Sequence, residues 1–94
     1  MTKKIILDGS QMTDREKLHA YLKTELDLPD YYGNNLDALK DCLTMDFSCK
    51  VIEVWYPEMI EEQLGRYGNS LLRVLKDSAD ENQYLEVVIK KARE

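Results

Sequence analysis

The chain of 94 residues has no run of 18 apolar residues, so no segment is expected to cross a membrane. It has one histidine, His19, and two cysteines, Cys42 and Cys49, with no close Cys pair. That is no ligand set for zinc, and neither a metal nor a cofactor is expected. Two cysteines do not make a disulfide framework, and both are expected to be thiols. Glycine and proline number only four and two, and no Gly-rich phosphate loop is present. Positive charge is also short: 13 Lys and Arg stand against 18 Asp and Glu, a net of −5. A protein that grips nucleic acid displaces counterions with Lys and Arg, so direct nucleic-acid binding is disfavoured and a basic protein partner favoured. The N-terminus, Met1 to Leu7, begins basic but turns polar at Asp8-Gly9-Ser10, too short an apolar stretch for a signal peptide. The chain therefore reads as cytoplasmic, and as a monomer when free.

What is present is an ordinary globular composition, 44% hydrophobic and 33% charged. The length suits one domain, residues 1–94, with a small core between two packed layers and little room for a deep substrate cavity. Lys3 to Asp8 reads as a strand ended by the turn signal Asp8-Gly9. Thr13-Asp14-Arg15-Glu16 has the form of a capping box, with Thr13 as the cap. Leu18, Tyr21, Leu22 and Leu26 then mark an amphipathic helix that stops before Pro29. Asn34 or Asn35 caps a second helix that buries Leu36, Leu39 and Leu43.

Lys50 to Trp55 is the second strand, and Glu58 to Leu64 a short third helix ended by Gly65. Asn69 or Ser70 is expected to cap a fourth helix with Leu71, Leu72, Leu75 and Ala79 on its apolar stripe. Tyr84 to Ile89 is the last strand, and its apolar run suits a central or doubly covered position. Cys49 is expected to be a buried strand residue. Strands separated by helices long enough to cross over pair in parallel, and right-handed crossovers put the helices on one face. The expected fold is a two-layer α/β domain: three parallel strands with four helices packed on one side.

Residues 27–46 hold five Asp and one Lys, a net of −4. On the second helix Asp37, Asp41 and Thr44 fall within about 60° of one another, opposite the leucines. Like charges at i and i+4 repel, so the two aspartates do not help this helix form. Beside them lies Pro29-Asp30-Tyr31-Tyr32-Gly33, and exposed Tyr next to carboxylates is a composition suited to an interface. One of the two tyrosines is expected to fill the core.

The run Leu28-Pro29-Asp30-Tyr31-Tyr32-Gly33-Asn34-Asn35-Leu36-Asp37-Ala38-Leu39, continued by Asp41-Cys42-Leu43-Thr44, resembles the barstar family, intracellular inhibitors of barnase-type bacterial ribonucleases. The capping pattern, Trp55, Gly68 and the final apolar strand extend the likeness over nearly the whole chain. The resemblance implies a non-enzymatic inhibitor of a basic, secreted, guanyl-type ribonuclease, whose active site the second helix and the preceding loop would block. It implies that Asp41 stands in for the RNA phosphate, with Tyr31, Gly33, Asn35, Asp37 and Thr44 as further contacts, and with Asp77 and Glu81 adding acidic contacts from the fourth helix. The chain departs from the family pattern at Lys40, where the family has an aromatic residue, and at Met45 and Asp46. Lys40 is thereby a candidate specificity residue. Two rival readings are a barstar-fold interaction or regulatory module that no longer inhibits a nuclease, and an enzyme using Asp37 and Asp41 as an acid/base pair. The second of these lacks a water-excluding pocket and a nucleophile.

Overall fold

Alternation of side chains decides which way each strand faces. In β1 (Lys3–Asp8) Ile5 and Leu7 are buried while Lys4 and Ile6 are exposed. The computed structural model describes residues 2–90; the expected span of 1–94 also takes in Met1 and residues 91–94, which lie outside the described residues. A 3-10 turn (Gly9–Gln11) follows, then α1 (Arg15–Glu25), α2 (Leu36–Thr44), β2 (Lys50–Trp55), α3 (Pro57–Leu64), α4 (Arg66–Glu81) and β3 (Leu85–Lys90).

The strands lie in the order β1-β2-β3, and both pairings are parallel, as the helical crossovers require. Leu7 stands opposite Val54, and Val54 opposite Ile89, so the apolar rows of the three strands face one side. Leu18 and Leu22 of α1, Leu39 and Leu43 of α2, Ile60 of α3, and Leu71 and Leu75 of α4 close over that side as one core. Among the described residues no helix covers the other side of the sheet. There Glu53 stays buried because its own neighbours shield it: Lys4 at 3.3 Å, Lys90 at 3.5 Å and the Trp55 indole N–H at 2.6 Å.

Four local expectations are corrected. The cap of α1 is Asp14, whose carboxylate accepts the Lys17 amide at 2.8 Å, rather than Thr13. A carboxylate also complements the positive end of the helix, which a hydroxyl does not. The last strand is an edge strand, with Val87, Val88 and Ile89 only half-buried. Its apolar run records β-branched strand propensity rather than cover on both sides. Cys49 precedes β2 and is exposed; only its carbonyl is tied in, accepting the Lys3 amide at 3.1 Å. Finally, α4 begins at Arg66, not after Asn69 or Ser70.

This early start has a steric cause. Gly65, with φ +60°, ends α3 and opens α4 in a single residue, a backbone conformation that side chains rarely adopt. Gly68 then lets the first turn of α4 press on α3, since a Cβ there would lie 2.5 Å from the Ile60 carbonyl oxygen. Because that neighbour is backbone, a methyl group forces the two helices apart. Gly68→Ala is expected to destabilise the fold by about 1–3 kcal/mol, read as a lower urea midpoint at unchanged slope.

Candidate functional site

The acidic helix is set in place by Asn35. Its side-chain oxygen accepts the Ala38 amide at 2.7 Å, and its amide donates to the Gly33 carbonyl at 3.2 Å. The same side chain therefore caps α2 and fixes the loop before it. Asn34 sits at φ +55°, a left-handed position that Asn tolerates better than most residues, and this turns the chain into the helix. From that start Leu39 and Leu43 are fully buried, Leu36 only half-buried, and Asp37 and Asp41 exposed. Among the described residues neither aspartate has an ion-pair partner. Thr44 lies on the same side, but its hydroxyl donates back to the Lys40 carbonyl at 2.8 Å rather than pointing free into solvent.

Lys40 is not a free cation. Its ammonium meets Glu81 of α4 at 2.8 Å. That hydrogen bond and the Glu81 charge, with Asp77 and Asp37 nearby, hold its pKa above the ordinary lysine value. Lys40, Asp37, Asp77 and Glu81 thus gather where α2 packs on α4. Asp41 and Thr44 lie further along α2, and Tyr31 and Gly33 are exposed on the loop before it.

The adjacent tyrosines divide as expected: Tyr31 is 87% exposed and Tyr32 is buried. What holds Tyr32 was not anticipated. His19, buried on α1, meets the Tyr32 hydroxyl through Nδ1 at 2.6 Å and the Tyr67 hydroxyl through Nε2 at 2.6 Å. The Arg15 guanidinium lies 4.1 Å from the centre of the Tyr67 ring. The sequence carried one sign of this, a lone histidine beside Leu18 on a helix whose next turn buries Leu22. A cleft of about 830 Å³, lined by Arg15, His19, Lys23, Leu36, Asp37 and Tyr67 among others, opens beside this network at the start of α2.

Chemically the surface offers unpaired carboxylates on a rigid helix, an exposed phenol and a fixed loop. It suits charge-assisted contact with a basic partner. Among the described residues no three His, Cys, Asp or Glu side chains gather as metal ligands would, and no helix is long and apolar enough to cross a membrane.

The family model for barstar, the barnase inhibitor, matches residues 2–91. A Bacillus subtilis (strain 168) protein named "Putative ribonuclease inhibitor YrdF" is 42% identical over 81 residues, 84% of this chain and 88% of the relative. The chain belongs to the barstar family, a family of inhibitors and not of enzymes.

The imidazole generates a test. Burial, and then the Arg15 charge, lower the His19 pKa from its ordinary 6.5. The unfolded chain therefore takes up a proton near pH 6.5 that the folded chain refuses, so the contribution is full above that value and is lost as pH falls below it. Urea unfolding is expected to show lower stability at about pH 5.5 than at about pH 7.5. His19→Gln, which keeps a neutral donor and acceptor, should flatten this part of the dependence.

Proposed function

We propose that this protein inhibits a guanyl-type ribonuclease by laying α2 and the loop 29–35 over the enzyme's basic active-site cleft, with carboxylates in place of the RNA phosphate. The single observation that carries the reading is Asp41: exposed, without a cation among the described residues, and mounted on a helix whose cap and loop are both fixed by Asn35. Family membership supplies the class of partner. In this reading Asp41 is the central phosphate mimic. Asp37, one turn back, and Tyr31 and Gly33 on the loop contact the rim of the cleft, with Asn35 and Thr44 contributing mainly by holding the surface in shape. Asp77 supplies negative charge from α4. Glu81 does so only in part, since its carboxylate already serves Lys40.

Lys40 would repel a basic cleft if it met one alone. Paired with Glu81 it presents no net charge, so the aromatic-to-Lys departure changes shape and polarity more than it adds repulsion. This favours the inhibitor reading over an interaction module that has lost its nuclease.

Titration into a basic guanyl-type microbial ribonuclease, read as RNA cleavage, is the test. Asp41→Ala should weaken inhibition well over tenfold. The general loss for one partner of a buried charge pair is about 2–5 kcal/mol, a range that the barnase–barstar pair itself helped to set. The melting temperature should stay within a few degrees, because Asp41 is exposed and repels Asp37. Asp37→Ala should cost less. An Asp41→Ala variant that inhibits as well as wild type would overturn the reading. Complex formation should also slow as salt rises while dissociation changes little, since charge steering is screened over about 10 Å at 0.1 M; an association rate flat in salt removes the electrostatic part.

A further inference from the structure

Next to the acidic helix three large apolar side chains stand in solvent. Met45 is 74% exposed, Phe47 72% and Tyr84 40%, and the Phe47 and Tyr84 rings meet edge to face with centroids 6.1 Å apart. They come from the connection between α2 and β2 and from the residue just before β3. Contiguous exposed apolar surface rimmed by polar groups marks an interaction site more often than a solvated one.

The backbone beneath the patch is fixed. The buried Asn82 side chain donates to the Leu43 carbonyl at 2.8 Å and the Asp46 carbonyl at 2.7 Å, and its oxygen accepts the Tyr84 amide at 3.0 Å. Asp46 accepts the Ser48 amide at 2.9 Å and the Ser48 hydroxyl at 2.7 Å, and it pairs with the Lys50 ammonium. Burial works against ionising this carboxyl, but the bonds from Lys50 and Ser48 outweigh it and hold the pKa at about 2. The turn therefore keeps its shape throughout the neutral range. Met45 and Phe47 are held on a preformed platform, which cuts the ordering cost of a contact.

The platform is continuous with the acidic face. Met45 is the residue that ends α2, its amide donating to the Asp41 carbonyl at 3.0 Å, so the apolar surface starts one turn beyond Asp41. We infer that Met45, Phe47 and Tyr84 extend the inhibitory surface, and that the target ribonuclease carries an apolar strip on the rim of its basic cleft that seats on them. The inference rests on the ribonuclease reading of α2. A second copy of this chain fits less well, because it would set a net −5 against −5 beside carboxylates that have no partner. The two parts of the surface then share the work: the carboxylates speed association and Asp41 also holds the bound complex together, while the aromatic anchor acts on separation alone.

The test compares wild type, Phe47→Ser, Met45→Ser and Asp41→Ala against a panel of basic guanyl-type microbial ribonucleases. Association and dissociation rates are read at low and high salt, and sedimentation reports the free protein's oligomeric state. Phe47→Ser is expected to dissociate at least about tenfold faster, with association and its salt dependence unchanged and the melting temperature preserved. Met45→Ser should act in the same sense, less strongly. If both serine variants dissociate like wild type while Asp41→Ala is weakened, the patch lies outside the footprint; the inference falls and the reading of α2 stands. If Phe47→Ser turns a self-associated protein into a monomer with inhibition intact, the patch belongs to a second copy and the inference is overturned. If wild type binds no member of the panel, both fall together.

Discussion

One neutral imidazole joins three parts of this molecule that sequence distance keeps apart. His19 belongs to α1, Tyr32 to the loop before the acidic helix, and Tyr67 to α4, 48 residues away from the histidine. A neutral ring offers one donor and one acceptor, and each of its nitrogens has a hydroxyl 2.6 Å away that can play either part. The buried ring is thereby satisfied, and Tyr32 is fixed on the inner side of the loop. The Tyr32 amide donates to the Pro29 carbonyl at 3.0 Å and closes a turn, on which Tyr31 stands exposed beside the anchored Tyr32. The exposure of one phenol thus depends on the burial of its neighbour, and the approach to Asn35 and α2 depends on both.

Elements and pairing were legible because they follow from period and connection length. The short apolar run in Lys3–Asp8, closed by Asp8-Gly9, and the helical spacing of Leu39 and Leu43 needed no tertiary information. The parallel sheet followed from helices too long for hairpins. The acidic face of α2 was legible for the same reason, since Asp37 and Asp41 share one side of a helix whose leucines must be buried. What escaped was set by contacts between distant residues. The early start of α4 depends on Gly68 meeting the Ile60 carbonyl, which no local pattern near Asn69 records. The edge position of β3 depends on how many strands the sheet has, not on the composition of Val87 to Ile89. Cys49 read as part of a strand because the run that follows it is apolar, yet the strand begins one residue later. The network around His19 was unreadable because its three members lie on separate elements.

The ion pair between Lys40 and Glu81 changes how the acidic segment should be counted. Formal charge over residues 27–46 is −4, but the carboxylates differ in what they are free to do. Asp46 is committed to Ser48 and Lys50, and Asp30 lies 3.9 Å from the Lys23 ammonium with both groups well exposed, a contact worth little. Asp27, at the end of α1, and Asp37 and Asp41 on α2 remain without ion pairs among the described residues. A count of charges along the sequence therefore overstates the surface offered to a partner, while the structure sets two of the unpaired carboxylates on one turn of helix and joins that turn to α4 through Lys40.

The uncovered side of the sheet has an optical consequence. Trp55 is the only tryptophan in the chain, and its indole N–H is tied to Glu53, which the ammonium groups of Lys4 and Lys90 also approach. The indole is a built-in probe of that small charged cluster, and its emission follows the integrity of the sheet. It stands across the sheet from the helical layer that carries Asp41, so light emitted by Trp55 reports whether the protein is folded and stays nearly indifferent to what α2 has captured.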